Sequence, residues 1–435
     1  MPIQHKFAAI MDAQPKYKGL QKLETRDLTI GMYVAQLDKD WEETDFALQG
    51  FYVRTQSAIE RLAELHPFVY VDPRRYDSKM GEVKLHAVGK TKKSAESDRK
   101  LTARERLQPK KPRIYEDSAT TAEEFVTAET TLEEAEKVLQ ECVVKLQSHG
   151  GFDVDAIESA ITPLVESVMR NHTALAALAR MRKTDDYLYS HAISCSVWGA
   201  VIGRELGLPP KDINALATTC ALMDIGKTQI SLDLLNAPRE LTEEEWIILK
   251  DHVDSGVALL EEQGLDDQRI LNGIRTHHER HDGSGYPNGL EGNRIPAFGR
   301  IAGLVDTYDA MISDRPYATA QSSYHSIQEI HRGADTLFQT ELVEFFIKAI
   351  GVFPVGAIVE LNTGEVGVVV SQSSNNRLKP KVMLILEEDK SKRNHLVVID
   401  LSIQQTDPSQ PLQWWITKEL PANAYGIDPQ EYFLS

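Results

Sequence analysis

The chain has 435 residues, 42% hydrophobic and 26% charged, with a formal net charge of -17. That length allows two or three full cores, and the acidity argues against broad binding to nucleic acid or an anionic membrane surface. No run reaches the ~20 apolar residues of a membrane span. The start, MPIQHKFAAIMDAQPKYKG, lacks a secretory signal, and Cys142, Cys195 and Cys220 are too few for a disulfide framework. A cytoplasmic location is expected.

Residues 1–85 read as a small N-terminal unit mixing strands and a helix. ETRDLTIGMYVAQLD alternates at Leu28, Ile30, Met32 and Val34, TQSAIERLAELH spaces Ile59, Leu62 and Leu65 for a helix, and FVYVDP is strand-like. Between Gly89 and Ile114 ten basic residues face three acidic ones with few large apolar side chains. Residues 86–118 are therefore expected to form a basic flexible linker.

Residues 119–353 carry helical periodicity. Ile193, Val197 and Val201 form a ladder that stops at Gly207, Pro209 and Pro210, and Ile213, Leu216, Ala217 and Cys220 make the next stripe. Thr242 and Glu245 fit a capping box opening one helix, LTEEEWIILKDHVDSGVALLEE. Ile270 with Ile274, and Ile301, Leu304, Val305 and Tyr308, mark two more. From residue 354 to 435 the period becomes two, with a Thr363-Gly364 turn between strands and KVMLILEE and HLVVIDLS following. There is no internal repeat.

The helical stretch holds His191, His252, His277 and His278 with Asp224 and Asp306 on further helices. Imidazole and carboxylate together suit Fe, Mn, Zn or similar divalent ions. DGSGYP, from Asp282 to Pro287, is turn-rich and directly follows two of these candidates. Its glycines allow close backbone approach, and Tyr286 can pack on a base or fix the loop; a plain helix-to-helix turn is the competing reading.

In order, YSHAIS, MDIGK, KDHVDSG, HHERHDGSGYP and VDTYDAMISDRPY resemble the HD-GYP family, over a motif core of residues 187–352. The flanking units are similar to the companions of one branch. The resemblance implies a multidomain chain: an all-α HD-type metal-binding helical core, a small mixed α/β N-terminal domain and a small β C-terminal extension. It implies two divalent ions, Fe, Mn or similar. His191, Asp224 and Asp306 would hold the first; Asp224, His252, His277 and His278 the second. Lys227 and Asp224 would be catalytic, and Lys227, Gly285, Tyr286, Pro287 and Arg315 would contact substrate. Two cations a few ångströms apart acidify a bridging water and clamp the diester oxygens, while Lys227 offsets phosphoryl charge.

Family enzymes place His before the shared Asp; this chain has Met223. A thioether is a soft, neutral substitute at such ions, so the first site is expected to be weakened and only the second well bound. Tyr187 stands where some members have a third-metal glutamate, and Ala318 where a basic residue follows SDRPY. His281, His149, His172, His325 and His331 are read as ordinary histidines, Cys195 and Cys220 as core, and Asp309 and Asp314 as structural.

The expected function is metal-dependent hydrolysis of cyclic di-GMP to pGpG, GMP or both, at a rate reduced by Met223. A non-catalytic cyclic di-GMP receptor or adaptor is the alternative, cyclic GMP-AMP the alternative substrate, and a general phosphohydrolase of nucleotide monoesters a third reading. Expected partners are the dinucleotide, a diguanylate cyclase or other signalling proteins, and a second copy through residues 119–180, with no nucleic acid and no membrane span.

Overall fold

The computed structural model describes residues 20–37, 51–53, 59, 62–63, 66–73, 106–151, 153–181, 187–235, 237, 239, 241–314, 320–372, 378–403 and 414–433. It divides into two compact units, Met1–Arg99 and Lys100–Ser435.

In the first unit β1 (Gln21–Glu24), β2 (Tyr33–Leu37), β3 (Phe51–Tyr52) and β4 (Phe68–Val71) form an antiparallel sheet in the order β1-β4-β2-β3. Leu28, Val34, Leu37, Val53, Ile59, Leu62, Val69 and Val71 make its core. Ile59 and Leu62 are helical as their spacing predicts, and Leu65 lies outside the described residues. The alternation from Leu28 does not become one long strand. Thr25–Asp27 is a 3-10 turn, pinned by the Thr25 hydroxyl donating to the His66 carbonyl at 2.6 Å, and a second turn at Ile30 precedes β2.

The second unit contains, among the described residues, twelve α-helices. These are α1 (Thr121–His149), α2 (Val154–Arg170), α3 (His172–Met181), α4 (Tyr187–Glu205), α5 (Pro210–Leu222), α6 (Leu232–Leu235), α7 (Glu243–Lys250), α8 (His252–Glu262), α9 (Gln268–Thr276), α10 (Ala297–Ile312), α11 (Ser323–Arg332) and α12 (Thr340–Ile350). The apolar stripes read from sequence face inward: Ile193, Val197, Val201, Ile213, Leu216, Ile301, Leu304 and Val305 are all buried. Trp198 on α4 meets Tyr308 on α10 edge-on at 5.5 Å, and Tyr308 meets Phe346 on α12 at 4.9 Å. Those aromatic contacts fix α4 against α10, the pair that brings His191 to Asp306.

The capping box at Thr242 and Glu245 is present, but the helix it opens ends at Lys250 and a second starts at His252. None of α7 is buried, while α8 buries His252, Val253, Gly256, Val257, Leu259 and Leu260. The stretch expected as a linker lies outside the described residues up to 105. From Arg106 to Ser118 the chain runs along the end of α4: Arg113 donates to the Gly207 carbonyl at 2.9 Å, Tyr115 to Leu208 at 2.7 Å, and Arg204 pairs with Asp117 at 2.8 Å.

At the C-terminus β5 (Ile358–Leu361), β6 (Val366–Ser371), β7 (Lys381–Leu386), β8 (Lys392–Asp400) and β9 (Ile416–Glu419) form an antiparallel sheet ordered β8-β7-β6-β5-β9. The expected Thr363-Gly364 turn closes its first hairpin, with Gly364 N–H donating to the Leu361 carbonyl at 2.9 Å. Phe433 beyond β9 stacks on Phe125 of α1 at 5.1 Å. Among the described residues no helix is long and apolar enough to cross a membrane.

Candidate metal centre

Five pieces of chain meet here, one of them α4 with His191. Asp224 follows α5 and opens the 3-10 turn Ile225–Gln229. His252 is the first residue of α8, His277 and His278 follow α9, and Asp306 and Asp309 lie one turn apart on α10. The approach is close enough that a Cβ on Gly226 would stand 2.1 Å from the His252 carbonyl oxygen. Only glycine fits there, so the turn carrying Asp224 can touch the start of α8.

Asp224, His252, His277 and His278 present ligand atoms within 4.8 Å of one another. His252 Nδ1 lies 2.6 Å from the Leu249 carbonyl and His277 Nδ1 2.6 Å from the Ile274 carbonyl. A carbonyl only accepts, so each Nδ1 carries its proton, and in the neutral rings each Nε2 is a bare lone pair. Those two lone pairs face each other at 3.5 Å and face Asp224 Oδ1 at 3.2 and 3.6 Å. Asp224 Oδ1 is itself buried and makes no hydrogen bond. Two imidazole lone pairs and an orphaned carboxylate oxygen repel one another unless a cation sits among them. Burial, with His277 next to it, holds the His278 pKa well below its ordinary value, so this ring stays neutral. Burial alone would raise the Asp224 pKa, but the Lys227 ammonium opposes it and helps to hold it well below the carboxylate range.

A second cluster uses the other oxygen of the same carboxylate. His191, Asp224 and Asp306 gather within 4.8 Å, with His191 Nε2 3.2 Å from Asp306 Oδ1 and 3.8 Å from Asp224 Oδ2. The Lys227 ammonium donates to Asp224 Oδ2 at 2.6 Å. Met223 is buried at the end of α5, next to Asp224. The described carboxylate and imidazole ligands on this side are thus three, against four on the other.

Behind His191 stands Asp309, which sequence reading left as structural. Its Oδ2 accepts from His191 Nδ1 at 2.7 Å and its Oδ1 from the Trp198 indole at 3.0 Å, both buried. Burial opposes charge on His191, yet Cys195, Asp306 and Asp309 around it hold its pKa well above the ordinary value. A cation arriving at Nε2 would displace a proton from a ring already aimed by Asp309. Asp309→Asn should put an amide N–H against Nδ1, reverse the tautomer and place a proton where the lone pair is needed. Metal affinity should fall by ~10 to 100-fold. Metal titration checks this, alongside a melting curve to show that the fold persists.

The GYP loop returns to the same place. The Tyr286 ring stacks on His278 at 4.6 Å, and its N–H donates to the His278 carbonyl at 3.2 Å. A Cβ on Gly285 would meet the backbone of His278, Glu279 and Arg280 at 2.4 to 2.5 Å, so the residue type is fixed by contact. Pro287 is exposed. Buried Glu279, assigned no role from sequence, accepts from the Asn288 and Leu290 N–H groups at 2.8 and 2.9 Å and so shapes the loop. Its only signal was a carboxylate inside HHERHDG.

Arg315 and Ala318 lie outside the described residues, and Asp314 accepts from the Ala320 N–H at 2.9 Å. His281 belongs to neither cluster; His172 and His325 pair with Asp117 and Glu329. Cys195 and Cys220 are buried, and burial pushes the Cys195 thiol up to about 12, so neither is a nucleophile at neutral pH.

Residues 167–342 match the HD domain, a metal-dependent fold; residues 20–157 match a domain of unknown function, and 358–406 a KOW domain associated with the HD domain. A cyclic di-GMP phosphodiesterase of Pseudomonas aeruginosa is 30% identical over 275 residues, 62% of this chain and 66% of that protein. A cyclic di-GMP phosphodiesterase of Thermotoga maritima is 36% identical over 34% of this chain and 40% of that one. A 3'3'-cGAMP-specific phosphodiesterase of Vibrio cholerae is 31% identical over 40% of this chain and 33% of that one. The chain thus spans 66% of the first relative and under half of the other two. An HD match laid over this motif order, flanked by relatives of one kind, makes the chain a member of the HD-GYP family.

Proposed function

We propose that the chain is a metal-dependent phosphodiesterase that opens cyclic di-GMP to linear pGpG and on to GMP. The observation that carries this reading is Asp224, whose Oδ1 faces His252 and His277 while its Oδ2 faces His191 and Lys227. A carboxylate turned two ways can serve two ions at once, and the pair would acidify a water and polarise the diester. On this reading His252, His277, His278 and Asp224 would hold one ion, and His191, Asp306 and Asp224 the other. Nitrogen and oxygen ligands without thiolate suit Fe, Mn, Zn or a similar divalent ion.

The side chains then divide the work. Leu249 and Ile274 keep the His252 and His277 rings in the tautomer that offers Nε2. Lys227, one-quarter exposed and already at the rim of the carboxylate, would move its ammonium to a phosphoryl oxygen as charge builds there. Tyr286 and Gly285 shape the wall beside His278, and Pro287 stands exposed next to them; by the family resemblance Arg315 would be a further phosphate contact. Cyclic GMP-AMP is the competing substrate, in line with the Vibrio relative's name.

Met223 favours a second reading, a cyclic di-GMP receptor that binds without hydrolysis, because the side holding His191 has the smaller ligand set. The two readings part on one experiment. The protein is loaded with Fe(II) or Mn(II), metals per chain are counted, and cyclic di-GMP is followed by chromatography. Appearance of pGpG, loss of turnover with a chelator and recovery with Mn(II) are expected. Metal and dinucleotide held tightly with no product would overturn the hydrolase and leave the receptor.

A further inference from the structure

One helix beside the metal centre has no packing role that accounts for its side chains. None of α7 is buried, yet it carries Trp246, Ile247 and Ile248 at 45%, 70% and 52% exposure. It nevertheless ends at the centre: the Leu249 carbonyl holds the His252 ring, and the next residue is Lys250. Lys250 Nζ lies 5.3 Å from the Tyr286 ring centroid and 6.0 Å from that of Trp246. Tyr286 in turn stacks on His278. A continuous line of groups therefore leads from a candidate metal ligand out to an exposed indole.

The charge on that line is unusual for this chain. Among the described residues no carboxylate pairs with Lys250, whose contacts are the two rings, although the protein as a whole carries a net charge of -17. An ammonium 5.3 and 6.0 Å from two ring centroids and paired with no carboxylate can turn its N–H donors to an incoming anion. An exposed indole beside it offers a face on which any base can stack, an interaction that serves nucleotides of every sequence. A cyclic dinucleotide has a second phosphate and two bases that the metal side cannot all engage. A simple diester has neither.

We propose that Lys250 and Trp246 form a second recognition subsite, Lys250 taking the phosphate that is not being cleaved and Trp246 stacking on one base. The inference rests on reading the centre as one that acts on phosphodiesters, and it assigns to α7 the preference for a cyclic dinucleotide over a small diester. Both residues are positioning groups for substrate, remote from the reacting atoms.

The test uses the full-length Mn(II)-loaded protein with two substrates, cyclic di-GMP and bis(p-nitrophenyl) phosphate, and measures cyclic di-GMP binding by calorimetry. Trp246→Ala and Lys250→Gln should each raise KM and the dissociation constant for cyclic di-GMP by about 10-fold. Their kcat, and both constants for the small diester, should change less than about twofold, because the lost contact is made equally before and during the reaction. Trp246→Phe should restore most of the binding. Ile247→Ser, on the same exposed helix, is the control and should match wild type. Equal losses on both substrates, or none on either, would overturn the subsite while leaving the hydrolase reading intact. If wild type cleaves neither substrate, calorimetry alone decides, and binding unmoved by both variants rejects the proposal.

Discussion

Asp224→Ala should abolish turnover and strip the protein of metal at both clusters together. Among the described residues Asp224 is the only member common to the two ligand sets, one oxygen facing each, so no other single truncation there reaches both. Without it, the Nε2 lone pairs of His252 and His277 still face each other at 3.5 Å, now with no anion to share a cation with. Lys227 loses the carboxylate that its ammonium touches at 2.6 Å, so the centre keeps a positive charge and loses an anion that balanced it. Changes one shell further out typically cost ~10 to 100-fold in affinity or activity; removing a shared ligand should exceed that, by about a thousandfold or more in kcat/KM. Elemental analysis should find less than a tenth of the wild-type metal, with helicity by circular dichroism retained. Metal retained at wild-type stoichiometry would show that the centre lies elsewhere.

Met223→His should work in the opposite direction. Met223 is 1% exposed and directly precedes the shared carboxylate, and the family resemblance assigns it to the set of three ligand residues, against four in the other. Imidazole is similar in bulk to the thioether, and its lone pair is a far better donor to a borderline divalent ion. The variant should bind about one more equivalent of Fe(II) or Mn(II) and gain ~10 to 100-fold in kcat/KM, the scale on which such centres respond to changes around their ligands. Metal-free, it should be less stable than wild type, because a buried imidazole without a partner is costly. If metal content and rate both stay at the wild-type level, the thioether is not what limits this centre.

Much of this could be read from residues alone, for identifiable reasons. The strands after Pro354 announce themselves by alternation around the Thr363-Gly364 turn, and α4, α5 and α10 by apolar runs of helical length, since these helices are buried on nearly every side. The six metal candidates were legible only as an ordered set, since a histidine on a helix carries no mark of its destination. Asp309 was missed because its partner, His191, is 118 positions away, and a carboxylate one turn beyond Asp306 resembles any polar helix residue. Glu279 escaped for the opposite reason: its partners, the Asn288 and Leu290 amides, are local but belong to backbone, which sequence does not display. The helix that opens at Thr242 was read as one because the residues around Asp251 have no breaker among them. What divides it is tertiary, with α8 packed against Gly226 and α7 left in solvent.

A carboxylate divided between two sides also sets an order of filling. The first equivalent of metal should go to the three imidazoles, where lone pairs already converge and only Oδ1 is needed. The second meets Oδ2 while it is still engaged by an ammonium, and must release a proton from His191 as it enters. A preparation carrying one equivalent would therefore be folded and metal-bearing yet idle, and its rate would rise only along the later part of a metal titration.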